Sequence, residues 1–256
     1  MAFYSKEHEI KGKVALVTGG TKNLGGATAK ELAKHGANLF LHYHNPKEEA
    51  AAQKFAEELK SNGIKVELYR AGLSTAEDVE KLFAAVKAKF PEGIDIAINN
   101  VGQVLKKPIV QIDEKEFESM DQNNNRVAFY FIREAGKHLK DNGRLVTLVT
   151  SLLAAYTPFY GAYQGTKAPV EYYSKTASKE WADRGISVNC VAPGPMDTPF
   201  LYGQETDESV SFFKTCAMHG RLTKIEDIVP IVRFLVTEGY WINGQTIYAS
   251  GGFTAH

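Results

Sequence analysis

Several protein classes depend on features that this chain has little of. Its two cysteines, Cys190 and Cys216, cannot build a disulfide framework or a cysteine-rich metal cluster. Both are expected as free thiols of a cytoplasmic protein. No apolar run approaches the roughly 20 residues needed to span a bilayer, and the N-terminal MAFYSKEHEIKGK lacks the apolar centre of a signal peptide. A membrane is therefore not expected among its partners. Thirty basic residues meet thirty acidic ones, for a formal net charge of zero. The basic excess that nucleic-acid or membrane-surface binding usually requires is absent. Seven scattered histidines show no metal-ligand spacing, so no metal site is expected. Linkers, low-complexity segments and internal repeats are missing as well.

What the chain does contain is a regular alternation of strand and helix. Val14–Val17 is a short buried strand that runs into Thr18-Gly19-Gly20, and a helical stretch follows at 27–35. Strand, glycine-rich turn and helix in that order make a phosphate cradle. Glycines let the backbone approach a pyrophosphate, and the helix N-terminus offers unpaired N–H donors and a positive dipole end. Further strands are predicted at 38–43, 66–69, 94–98, 145–149, 187–191 and 245–249, and helices at 47–62, 75–90, 114–138, 168–182 and 225–237. The pattern predicts an α/β fold: a single Rossmann-type doubly wound parallel sheet of about seven strands with helices on both faces. The expected order is 3-2-1-4-5-6 with a seventh strand at one edge. Residues 1–256 would then form one dinucleotide-binding catalytic domain.

Two stretches depart from the pattern. Asn123, Asn124 and Asn125 fall inside the predicted helix 114–138, where three asparagines are costly. Either they form a solvated patch or a bend, or one of them is buried and organises backbone or water. Residues 195–221 carry Phe200, Leu201, Tyr202, Phe212 and Phe213, a heavy aromatic load for a connection. They form either a substrate lid or an apolar pad on the body.

Residues 151–167, SLLAAYTPFYGAYQGTK, hold the chemistry. A strand delivers Ser151, and Tyr163 and Lys167 follow at a four-residue spacing that puts both on one helical face. A lysine charge beside a phenol stabilises the phenolate and lowers its pKa from the free value near ~10. Ser151 could then hold a substrate oxygen while Tyr163 gives or takes its proton. The same spacing recurs at Tyr43 and Lys47, but with Pro46 between them and no serine ahead.

Taken together, these motifs closely resemble the short-chain dehydrogenase/reductase family over nearly the whole chain. TGGTKNLG at 18–25 resembles its cofactor turn, and NNVG at 99–102 its NNAG stretch. Asn124, Ser151, Tyr163 and Lys167 match its catalytic tetrad. Departures include Asn23 for the middle glycine, Gly72 for an adenine-contacting aspartate, Ser250 for a frequent aspartate, and a Ser151-to-Tyr163 spacing one residue shorter than is commonest. The resemblance implies cofactor contacts from Gly19, Thr21, Lys22, Asn23 and Leu24 in the turn, and from Tyr43, His44 and Asn45 after the second strand. Leu73 would follow the third strand, and Asn100 and Gly102 the fourth. Tyr163 and Lys167 would reach the nicotinamide ribose, and Pro193, Gly194, Met196 and Thr198 would close over the nicotinamide. The implied reaction is hydride transfer to a ketone or aldehyde carbonyl, reversibly, with Tyr163 protonating the oxygen. Ser151 would position that oxygen, and Asn124 would hold a water that relays protons to Lys167. A homotetramer (or homodimer) is implied too, with helices 114–138 and 163–182 at one interface.

NADP(H) is the expected cofactor. A carboxylate at the end of strand two would repel a 2′-phosphate, and Tyr43 stands there instead. Lys22 is a cation in the cradle, and His44 and Asn45 can donate further hydrogen bonds. The substrate is expected to be a small molecule with an apolar group, held by Leu153, Tyr156, Phe200 and Tyr202. Two alternatives differ: a 3-oxoacyl-[acyl-carrier-protein] reductase, with Lys106, Lys107 and Arg126 as a basic rim for the acidic carrier, and a non-enzymatic dinucleotide sensor or scaffold.

Overall fold

Val14 and Leu16 of the first strand pack among Phe83 and Phe131, whereas Ala15 and Val17 pack among Leu32 and Ile228. Successive strand residues point to opposite faces. A strand apolar at every position is therefore buried on both, as parallel sheets between helical layers require. The structure, a computed structural model, describes residues 8–254. The start of the polar N-terminal stretch (1–7) and residues 255–256 lie outside them.

Seven strands form one parallel sheet in the order β3-β2-β1-β4-β5-β6-β7. They are β1 (Val14–Val17), β2 (Asn38–Tyr43), β3 (Val66–Arg70), β4 (Ile94–Asn99), β5 (Leu139–Leu148), β6 (Ser187–Pro193) and β7 (Thr246–Ala249). Register places Val14 beside Asn38 on one side, and Ala15 beside Ile96 on the other. This is the predicted order.

Helices α1 (Asn23–Lys34), α2 (Glu49–Lys60) and α9 (Ile225–Val236) cover one face. The other face is covered by α3 (Ala76–Lys89), α5 (Val127–His138) and α6 (Gly161–Glu180). Phe83 and Phe131 are fully buried there, with ring centroids 5.2 Å apart edge to face. Each contributes at most about 3 kcal/mol through burial. Thr75 caps α3 with a reciprocal box, accepting the Asp78 N–H at 3.1 Å while Asp78 accepts the Thr75 N–H at 2.9 Å.

Four predictions differ from the structure by more than two residues; one is helix α6, which begins at Gly161 rather than 168, so that Tyr163 and Lys167 lie inside it. Helix α1 begins at Asn23 rather than 27, because the second half of the glycine-rich turn is already its first turn. The helix expected over 114–138 is α4 (Glu114–Asp121) and α5 joined by a π-turn, Gln122–Arg126. The asparagines lie in that turn, and of the three Asn124 is fully buried. Strand β5 starts six residues early, at Leu139 beside Ile94, and then bulges through Asn142 in the left-handed region before it re-pairs at Arg144. Residues 195–221 hold α7 (Pro199–Tyr202) and α8 (Asp207–Thr215).

Candidate active site

From β1 the chain moves outward to β2 and β3, then returns to β4 on the other side of β1. Such a switch point leaves a crevice at the carboxyl ends of the strands. A cleft of about 650 Å³ lies there. Thr18, fully buried, ties its floor together: the hydroxyl accepts the Asn100 N–H at 2.9 Å and the Val101 N–H at 3.3 Å.

The cradle at one end is closed on itself. Asn23 sits at φ +47°, a left-handed conformation that asparagine tolerates better than most residues. At Gly25 a Cβ would stand 2.1 Å from the Gly19 carbonyl oxygen, so no side chain fits. What faces the cleft is backbone and the start of α1, which suits a pyrophosphate. His42, buried beneath this turn, was not anticipated. Its Nε2–H donates to the Ala71 carbonyl at 3.0 Å, which makes Nδ1 an acceptor for the Gly19 N–H at 3.3 Å. Burial pulls its pKa down to about 4, so the imidazole stays neutral in this role. Gly72 lies under the His44 ring, 3.6 Å from where a Cβ would be, so His44 fills part of the space at that position.

Every residue predicted for the cofactor lines this cleft. Lys22 does so with a partner that the residue pattern did not disclose: its ammonium is ion-paired with Glu48, ahead of α2. Although β2 ends in no carboxylate, the loop after it brings one back.

Tyr163 and Lys167 meet in the middle of the cleft, both buried on α6. The Lys167 ammonium donates to the Leu148 carbonyl at 3.0 Å. It fits because Gly102 has no side chain; a Cβ there would come within 2.8 Å of Nζ. Burial dominates both groups. It pushes the Tyr163 phenol up to about 12, against the pull of a hydrogen bond with Thr150, and draws Lys167 down to about 8. The lowered phenol pKa expected from Lys167 is thus not what this geometry produces: desolvation raises it, and the opposing pull comes from Thr150 rather than from Lys167. Thr150 was also missed, yet it stands at the commoner spacing from Tyr163. Both Thr150 and Ser151 line the cleft.

Asn124 lies behind the cleft lining. Its side-chain oxygen accepts the Gln103 N–H at 2.8 Å, and its amide donates to the Gln103 carbonyl at 2.9 Å and to Thr166 at 3.1 Å. One buried asparagine therefore fixes the β4–α4 loop against α6.

The substrate half is lined by Val104, Leu152, Tyr160, Phe200, Leu201 and Phe213, among others. Of the four residues predicted for it, only Phe200 is there, its ring 6.4 Å from that of Tyr163. Leu153 packs into the main core instead, and Tyr156 is 89 % exposed. Tyr202 turns outward and donates to Asp197 at 2.7 Å. One-turn segments such as Ser151–Leu153 and Pro199–Tyr202 alternate faces too quickly for composition to reveal which side chain enters.

A family model described as enoyl-(acyl carrier protein) reductase matches residues 19–254. An NADPH-dependent aldehyde reductase 2 and an NADPH-dependent aldehyde reductase-like protein of Arabidopsis thaliana, both named chloroplastic, are 34 % and 32 % identical. The first match covers 95 % of this chain and 94 % of the relative, the second 95 % of each. The chain belongs to the short-chain dehydrogenase/reductase family. As a member it is an oxidoreductase, which removes the sensor or scaffold alternative. Among solved structures, a Burkholderia cenocepacia protein described as a dehydrogenase with bound NADP is 51 % identical, with a TM-score of 0.94, covering 97 % of this chain and 96 % of that one.

Proposed function

We propose that the protein uses NADP(H) to reduce the carbonyl of a small, largely apolar aldehyde or ketone to an alcohol, and that it runs the reverse reaction with the same groups. One observation carries this reading: a single cleft joins a phosphate cradle, a buried Tyr163–Lys167 couple with two hydroxyls beside it, and an apolar wall. NADP(H), when bound, supplies or accepts the hydride. Gly19, Asn23 and the start of α1 would hold its pyrophosphate, and Lys22 its 2′-phosphate.

The chain's own part is proton transfer. Burial keeps Tyr163 protonated at neutral pH, so its hydroxyl can donate to the oxyanion that forms at the substrate carbonyl. Thr150 and Ser151 orient that oxygen. Lys167, whose pKa is drawn down to about 8, gives up a proton readily and can restore the one Tyr163 has lost. The amide of Asn124 is occupied by Gln103 and Thr166, so the relay water would be held by its backbone carbonyl, for which the π-turn makes room.

The description of the family model favours a second reading, reduction of a carrier-bound acyl group. Against it, the three candidate rim cations are each engaged by an acid: Lys106 by Glu205, Lys107 by Glu116 at 2.7 Å, and Arg126 by Asp121 at 2.8 Å. The same proposal includes a lid at 195–221, a cytoplasmic location and a homotetramer. Exposed Phe117, Phe129 and Tyr172 on α4, α5 and α6 support the last of these. No helix among the described residues is long and apolar enough to cross a membrane.

The test is loss of nicotinamide absorbance with a panel of free carbonyls and their carrier-bound counterparts, in the parent and in Tyr163→Phe. Turnover is expected with free carbonyls, falling roughly 10²-fold or more in the variant. Near-normal turnover in Tyr163→Phe would remove this residue from the mechanism.

A further inference from the structure

Glu205, between α7 and α8, has a fully buried side chain. Its carboxylate accepts hydrogen bonds from the Tyr160 hydroxyl, the Lys106 ammonium and the Ser209 hydroxyl. These partners come from the start of α6, the loop after β4, and α8. The neighbouring Gln204 adds a bond, its side-chain oxygen accepting the Lys106 N–H at 3.0 Å. Tyr160 in turn lines the substrate half, its ring 6.1 Å from that of Tyr163. The Lys106 ammonium lies 6.0 Å from the centre of the Tyr160 ring. One carboxylate thus holds a hydroxyl and a cation at the outer edge of the cleft. Burial acts to raise the pKa of this carboxyl, but the bonds from Lys106, Ser209 and Tyr160 more than offset it, so the group stays ionised.

We propose that Glu205 sets the charge specificity of the substrate half, as a positioning residue that ties the Tyr160 hydroxyl and the Lys106 ammonium away from the substrate. What remains facing the substrate beyond the reacting hydroxyls is the Tyr160 ring, aliphatic and aromatic carbon, and uncharged polar side chains such as Gln103 and Thr157. Apart from Lys167, the charged side chains that line the cleft, Lys22 and Glu48, lie at the cradle end. The enzyme therefore takes neutral carbonyl compounds and discriminates against those that carry a carboxylate. Such a carboxylate would meet an uncharged wall whose nearby cation, Lys106, is already neutralised by Glu205, and would lose its hydration without gaining a charged partner. Neutralising Glu205 releases a cation and a donor beside the cleft, and an anionic substrate could then take its place.

The inference rests on the proposed carbonyl reduction, and a double-mutant cycle tests it. An oxo acid and its methyl ester are compared in the parent, Glu205→Gln, Lys106→Met and the double variant. Both kcat/KM and binding to the NADP-loaded protein, by calorimetry, are measured. In Glu205→Gln the acid-to-ester preference is expected to rise at least about tenfold, the size of one charge-assisted hydrogen bond. In the double variant it should return to near the parent ratio, with NADPH affinity unchanged throughout. An unmoved ratio in Glu205→Gln, or an equal rise in the double variant, would overturn the proposal. Should Glu205→Gln fold poorly, Glu205→Asp shortens the side chain and draws the carboxylate back from both Lys106 and Tyr160. A rise there of more than about twofold supports the assignment, and no change counts against it. If the parent reduces neither compound, the reaction assigned above is wrong, and the binding ratios alone decide whether Glu205 excludes anions.

Discussion

Replacing Glu48 with glutamine should tighten NADPH binding and leave NADH binding where it was. Lys22 is 60 % exposed and Glu48 26 %, and an ion pair this open to solvent contributes only ~0–1 kcal/mol. A hydrogen-bonded contact between lysine and phosphate is worth ~1.5–3 kcal/mol, and the phosphate carries about two negative charges. Lys22 should therefore change partners when NADPH arrives. Glu48 is then left close to the new anion, and a carboxylate ~6 Å from that double charge in water is repelled by about 1.4 kcal/mol before salt screens it. Removing the carboxylate relieves both the competition and the repulsion, a gain of about 1 kcal/mol or roughly fivefold in Kd. Lys22→Ala should lose tenfold or more by the same reckoning. Fluorescence titration of each reduced cofactor at low and high salt measures both effects, and the gain in Glu48→Gln should shrink as salt screens it. If Glu48→Gln binds NADPH no more tightly, or gains equally for NADH, the carboxylate is not competing for the phosphate site.

Three further outcomes follow from the geometry. Thr150→Val should lower turnover at least as much as Ser151→Ala, because Thr150 is the hydroxyl bonded to the Tyr163 phenol; steady-state kinetics that leave Thr150→Val unimpaired would refute this. His42 binds its proton less readily folded (about 4) than unfolded (6.5), so the unfolded state gains protons first as pH falls. Stability present above pH 6.5 is then lost toward pH 4, up to about 3 kcal/mol, and melting curves of His42→Gln should show a shallower acid decline than the parent. Phe200→Ala should reorder a panel of ketones, whereas Tyr202→Ala, whose side chain points away from the cleft, should not; reordering by both would mean the segment moves as a unit.

The strand order was legible because apolar runs of four to six residues alternated with amphipathic helices, and this leaves few topologies. The cradle and the Tyr163–Lys167 couple were legible because each is local, a turn or a single helical face. Asn124 was half legible: three asparagines in a helix signal something unusual, but which one turns inward depends on the loop at Gln103. Glu48, Glu205 and Thr150 could not be read in this way. Glu48 and Glu205 matter through partners 26 to 99 positions away in the chain. Nothing local distinguishes either from an ordinary surface acid, and Thr150 stands beside a better-known serine. The misplaced Leu153, Tyr156 and Tyr202 share one cause, since their short turns have no periodicity long enough to assign a face.

The π-turn also makes the long helical rod sensitive to phase. Each residue advances a helix by about 100°. Ahead of the turn the apolar stripe presents Met120 to Tyr160 and Tyr163, and after it Val127, Phe131 and Ala135 face the main core. The extra residue in the turn is what lets one rod serve two surfaces that lie out of step. Substituting Asn123 or Asn125 would be a local event. Deleting either would rotate everything downstream, swinging Phe131 toward solvent and carrying the error along the whole of α5. In this helix the number of residues between Met120 and Val127 is under tighter constraint than most of their identities.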